Sequence, residues 1–166
     1  MTSLASEVIA AMAGKTLATV ESCTGGMIGQ LLTGVSGASA VYKGGIISYT
    51  NEVKQNVLGV GGELLQHCGA VSAPVAEAMA VGARKVLNAD AAVSVTGLAG
   101  PGGDEFGNPV GTVFIGFACA SHSQVQEFHF SGDREAVRRQ AAEAADRKST
   151  RLNSSHRCTS RMPSSA

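Results

Sequence analysis

The order of hydrophobic patterns along this chain of 166 residues predicts an α/β protein, a three-layer α/β/α sandwich built on a mixed sheet. Three observations predict it. Helical and strand-like segments alternate from the start of the chain to about Thr96, the pattern of parallel strands joined by crossover helices. Two strand-like segments, Val110–Cys119 and Val125–Phe130, then follow one another as an antiparallel pair. The segments suited to burial are made of Val, Ile, Leu and many Ala, with aromatics at only 4%, which favours close packing of helices on a sheet.

Ser3–Ala13 is Ala-rich and sets Leu4, Val8 and Ala11/Met12 on one face, which predicts a helix. Thr16–Val20 is a β-prone apolar run bounded by Gly14 and the polar Glu21–Ser22, hence a strand. Thr24-Gly25-Gly26 opens a helix to Leu32, with Met27, Ile28, Leu31 and Leu32 as its apolar set. Gly34–Ser39 is a small-residue loop. Val41–Tyr49 reads as a strand or bent pair, with Gly44-Gly45 as a bulge. Thr50 is suited to N-cap a helix over Asn51–Leu58 that Gly59 ends. Gly61–Gly69 is a short turn-helix-turn. Ser72-Ala73-Pro74 starts a helix that keeps its spacing to Asn88, the Pro sitting where a missing N–H costs nothing. Ala91–Thr96 is a strand of the buried type. Gly97–Pro109 is a glycine-rich loop too long to serve as a connection alone. After the antiparallel pair, Ser131-Gly132-Asp133 caps a last helix, Arg134–Ala145.

Composition narrows the functional classes. Hydrophobic residues make up 44%, enough for a core, and no apolar run reaches the length of a membrane span. Met1–Ala13 lacks the basic start and continuous apolar stretch of a signal peptide. The formal charge is zero, yet residues 1–145 carry 8 basic against 12 acidic residues, and the rest 5 against 1. An acidic body argues against a nucleic-acid surface. Cys23, Cys68, Cys119 and Cys158 show no CxxC, and the four histidines no HExxH or HxH, so a reduced, cytoplasmic, metal-free protein is expected. Residues 146–166 form a basic, Ser/Arg-rich tail with 8 Ser/Thr, two large apolar residues and no periodicity. It is read as solvated or non-native sequence beyond a domain of residues 1–145 and is set aside from functional reasoning.

Four segments can carry chemistry. In Glu21–Gly26 a strand delivers Ser22 to a turn, and N–H groups at the helix start, near Thr24, Gly25 and Gly26, can hold an anion or oxyanion. The same residues also serve simply as cap and turn. Lys54, one turn into a helix that Thr50 caps, sits at the positive end of the macrodipole, which lowers its pKa and fits it as a base for a serine. A solvated surface lysine is the competing reading. Thr96-Gly97 ends a strand and runs into the glycine-rich loop, the place where open α/β sheets bind ligands. Arg134 and Arg138, four apart, share a helix face and make a plausible phosphate clamp or a solvated face.

Taken in order, TVESCTGG (19–26), SGAS (36–39), GGIISYTNEVK (44–54), LGV (58–60), HCGAVS (67–72), SVTGLAGPGG (94–103), NPVGTVFIGFA (108–118) and SGDREAVRRQA (131–141) resemble the CinA C-terminal domain family of competence/damage-inducible proteins. Its enzymatic members are nicotinamide mononucleotide (NMN) deamidases of pyridine nucleotide salvage. The resemblance stops at Asp146, where the family continues its last helix with apolar residues. It implies hydrolysis of the NMN carboxamide to nicotinate mononucleotide and ammonia, with the nucleophile at Ser22 and its lysine at Lys54. Tyr49, Ser39, Thr96 and either Arg134 or Arg138 match positions that shape the pocket or assist. No cofactor, no nucleic acid and no membrane are implied. A homo-oligomer, with a dimer favoured, is expected. The N-terminal domain of longer family members, with its pyrophosphatase activity, is not expected here. Two alternatives stay open: a non-catalytic mononucleotide-binding or interaction module of the same fold, and an amidohydrolase for a substrate without phosphate. Cys23, intrinsically the stronger nucleophile, lies beside Ser22, but neighbouring side chains diverge and the resemblance selects the serine.

Overall fold

The computed structural model describes residues 3–154 and Cys158. The elements run α1 (Leu4–Ala11), β1 (Leu17–Glu21), α2 (Met27–Thr33), a 3₁₀ turn (Ala38–Ala40), β2 (Tyr42–Ile47), α3 (Asn51–Asn56), α4 (Gly62–Cys68), α5 (Ala73–Val86), β3 (Ala91–Gly97), β4 (Thr112–Cys119), β5 (Ser123–His129) and α6 (Arg134–Ser154). The sheet order is β2-β1-β3-β4-β5. β1 is parallel to both β2 and β3, and β4 is antiparallel to β3 and β5, so the sheet is mixed, as expected.

Side chains alternate across the strands and build a core on each face of the sheet. Leu17, Val93, Val95, Val113, Ile115 and Phe117 face α1, α2 and α6. Ala18, Val20 and Ala92 face the other way, with Val75 and Met79 of α5. β1 is buried throughout because it is covered on both faces, whereas the edge strand β5 is buried only in part. Gly116 is required where it stands: a Cβ there would lie 2.7 Å from the Ala76 carbonyl of α5.

Three expectations need correction. α2 begins at Met27, because Gly25 and Gly26 take φ of 61° and 108°, outside helical space. α6 does not stop at Ala145 but runs to Ser154, with Asp146 and Ser149 buried. That stretch tolerates polar residues since Ser149 Oγ donates to the Ala145 carbonyl and Thr150 Oγ1 to that of Asp146. The remainder of the tail, Cys158 apart, lies outside the described residues. Cys119 at the end of β4 is bonded to Cys158, while Cys23 and Cys68 are free thiols. An entirely reduced chain is therefore corrected for one pair, brought together across 39 residues by packing that no spacing reveals.

Candidate active site

The parallel strands β1, β2 and β3 end on one side of the sheet, and a cavity of about 290 Å³ opens there. Its lining includes Ser22, Cys23, Tyr49, Lys54, Thr96, Gly97 and Arg134. Ser22 follows directly on β1, its N–H bonded to the Val95 carbonyl of β3. Thr50 caps α3 by accepting the Val53 N–H at 3.3 Å, which sets Lys54 at the fourth position of this six-residue helix, in its last turn. From there the lysine reaches inward. Its Nζ lies 2.6 Å from the Ser48 carbonyl and 3.3 Å from Ser22 Oγ.

Lys54 is only 1% exposed, and no carboxylate pairs with it among the described residues. Burial of an ammonium with no carboxylate partner among the described residues pushes its pKa from 10.5 down to about 8, with the nearby Cys23 acting in the opposite direction. The neighbouring Cys23 moves the other way, to about 11, chiefly because burial disfavours its thiolate. Its side chain belongs to the core under α2 and α6. Beyond the end of β1, Ser22 thus meets Lys54 while Cys23 packs into the apolar core.

The far wall is the strand end and the glycine-rich loop. Thr96, also buried, donates its hydroxyl to the Ala70 carbonyl at 2.8 Å. Arg134 spans the mouth, donating to the Gly100 carbonyl at 2.6 Å and to Tyr49 Oη at 3.2 Å. Tyr49 is 59% exposed and forms the rim. The loop is less free than its glycines suggest. Asp104 accepts the N–H groups of Phe106 and Asn108, and the Asn108 side chain donates to both Asp104 and the Val71 carbonyl.

Five residues singled out in the sequence lie outside the cavity lining. Ser39 is exposed in the 3₁₀ turn, away from the strand ends. Thr24 is fully buried, its hydroxyl donated to Glu21 at 2.6 Å. Gly25 and Gly26 shape the turn without lining the cavity. Arg138 binds the carbonyls of Cys23 and Thr24. The first-turn N–H groups of α2 are not open to a ligand either: those of Ile28 and Gly29 go to the Glu21 carboxylate at 2.9 and 3.1 Å. Sequence reasoning treated Glu21 as a strand boundary and missed Ser48, whose carbonyl carries the shortest contact of Lys54. A polar residue inside a buried strand was the signal for Glu21; nothing local marks a backbone carbonyl.

The family model for the CinA C-terminal domain matches residues 1–150. The chain belongs to the CinA C-terminal domain family. Within it, the chain is 48% identical over 129 residues to nicotinamide-nucleotide amidohydrolase PncC of Escherichia coli K12, covering 77% of this chain and 78% of that protein. It is 50% identical over 125 residues to a CinA-like protein of Geobacter sp. (strain M21), covering 75% of this chain but 30% of the relative. The chain thus spans under a third of the length of such CinA-like relatives. Among solved structures, a CinA superfamily protein from Klebsiella pneumoniae 700603 superposes with a TM-score of 0.88 at 35% identity, over 90% of this chain and 95% of that one. The competence/damage-inducible protein CihA from Agrobacterium tumefaciens gives 0.87 at 38% identity, over 90% and 93%. No helix among the described residues is long and apolar enough to cross a membrane.

Proposed function

We propose that the chain is an amidohydrolase that converts nicotinamide mononucleotide to nicotinate mononucleotide and ammonia, with Ser22 as nucleophile and Lys54 as its base. The observation that carries this reading is a fully buried lysine, without a carboxylate partner among the described residues, 3.3 Å from a serine hydroxyl in a cavity at the strand ends. The likeness to PncC over most of both chains supports the substrate.

An amide is a poor electrophile, so its hydrolysis needs an activated nucleophile, an oxyanion donor and an acid for the departing nitrogen. Neutral Lys54 keeps an N–H for the Ser48 carbonyl and turns its lone pair to Ser22. As Ser22 Oγ bonds to the carboxamide carbon, its proton passes to Lys54 Nζ and the carbonyl electron pair moves to oxygen. Lys54 returns the proton to nitrogen, the C–N bond breaks, and ammonia leaves an acyl-enzyme. Water, activated by the same amine, cleaves the ester. Arg134, with N–H groups to spare after its two bonds, and Tyr49 face the mononucleotide's anionic end. Thr96 and Gly97 form the opposite wall.

A non-catalytic binding module needs only an ordinary, solvated lysine at 54, and the burial of Lys54 weighs against it. We assign the chain to pyridine nucleotide salvage and to a homodimer, which light scattering measures. Ammonia release separates the readings. Release from NMN by the wild type but not by Ser22→Ala supports the proposal. Binding of NMN without release supports the module, and equal release from nicotinamide supports a substrate lacking phosphate.

A further inference from the structure

Glu21 and Ser22 leave β1 on opposite sides, because successive side chains of a strand alternate. Ser22 faces Lys54. Glu21, 2% exposed, turns to α2 and accepts three hydrogen bonds, from Thr24 Oγ1, Ile28 N and Gly29 N at 2.6, 2.9 and 3.1 Å. Two of those donors are first-turn N–H groups that a helix cannot satisfy internally. Arg138 grips the same turn from α6, its Nε 2.9 Å from the Cys23 carbonyl and a terminal nitrogen 3.3 Å from that of Thr24. An anion thus holds the N–H groups around the turn and a cation holds its carbonyls. Neither side chain lines the cavity.

The turn needs such holding. Gly25 and Gly26 supply the left-handed conformations it requires, and the same residues leave the free backbone with many other shapes. We propose that Glu21 and Arg138 are positioning residues of the hydrolysis, fixing the Ser22–Gly26 turn so that Ser22 Oγ stays within proton-transfer reach of Lys54 Nζ. This rests on the Ser–Lys reading above. It also removes the start of α2 as a phosphate site, since the protein's own carboxylate fills it. A displacement of about 1 Å at a reacting group costs roughly 100-fold in rate, which sets the scale of the effect.

The test uses the full chain with Glu21→Gln, Arg138→Met and Arg138→Lys. Steady-state kinetics on NMN are read beside an NMR titration of Lys54 without substrate, with ¹³C-labelled lysine. Glu21→Gln and Arg138→Met are expected to lower kcat by about 10- to 100-fold with KM changed less than about threefold, and Arg138→Lys to recover part of the loss. The Lys54 titration is expected to move up from about 8 in both, because a loosened turn admits water. Loss of the Glu21 charge by itself would move it down, so in Glu21→Gln the sign separates positioning from simple electrostatics; in Arg138→Met, where loss of a cation by itself also moves Lys54 up, kcat and its recovery in Arg138→Lys decide. A large rise in KM at unchanged kcat would make Arg138 a substrate clamp and overturn the proposal. Unchanged kcat and titration in folded variants would overturn it as well. If the wild type releases no ammonia, the hydrolysis reading fails, and the Glu21→Gln titration decides: an upward shift supports the positioning of Ser22 against Lys54, and no shift or a downward one refutes it. Should Glu21→Gln fail to fold, the Arg138 pair decides by kcat against KM and by the recovery in Arg138→Lys.

Discussion

Replacing Lys54 by arginine keeps a cation at the site but removes its ability to lose a proton near neutrality. With a pKa of about 8, roughly a tenth of Lys54 is neutral at pH 7, against about 0.03% for a lysine at 10.5, a gain of ~300-fold in available base. Lys54→Arg and Lys54→Met are expected to lose at least ~100-fold in turnover, within the range of a general base. In a coupled ammonia assay between pH 6 and 10, wild-type turnover rises tenfold per pH unit and levels off above about 8; in both variants that limb disappears. Stability depends on pH through the same group. The folded pKa lies below the unfolded one, so the penalty for burying Lys54 is full below pH 8 and fades as pH rises to 10.5. Lys54→Met therefore raises the thermal midpoint, by an amount worth at most ~3 kcal/mol at pH 7 and less at pH 10. Near-normal turnover by Lys54→Arg with an unchanged pH profile would refute the argument and leave Lys54 a buried structural residue.

Cys23→Ala should keep turnover within about threefold, since a thiol pushed up to about 11 is almost wholly protonated at pH 7, whereas Ser22→Ala should abolish it; loss of activity in the cysteine variant alone would reverse the assignment. Asp146 is buried near Glu21 and Glu143, and its pKa rises to about 7, first through desolvation and then through those carboxylates. Its folded pKa exceeds the unfolded one, so stability is lost as pH rises from about 4 through 7, and Asp146→Leu should raise the melting temperature more at pH 8 than at pH 5. Gly116→Ala should cost about 1–3 kcal/mol in urea unfolding, because its methyl group meets the Ala76 carbonyl at 2.7 Å; an unchanged midpoint would show that α5 yields at no cost.

The sequence by itself determined what depends on neighbours a few residues apart. Alternation placed β1, β3, β4 and β5, Thr50 announced the start of α3, and the order of patterns gave a mixed sheet between helical layers. Ser22 at a strand end and Lys54 one turn into a capped helix were legible for the same reason. A helix end set by tertiary contacts was not: polar residues after Ala145 break the apolar pattern, yet their hydroxyls bond the helix's own carbonyls and α6 goes on. Tertiary structure alone decided the rest. It joined Ser22 to Lys54 across 32 residues, set Arg134 over the mouth rather than Arg138, and tied Arg138 to a carbonyl 115 residues away. It also gave the start of α2 to Glu21 instead of a ligand. Periodicity tells which face a side chain leaves from; what meets it there is fixed by the stacking of the sheet, and only that stacking could bury Lys54 without a carboxylate partner among the described residues.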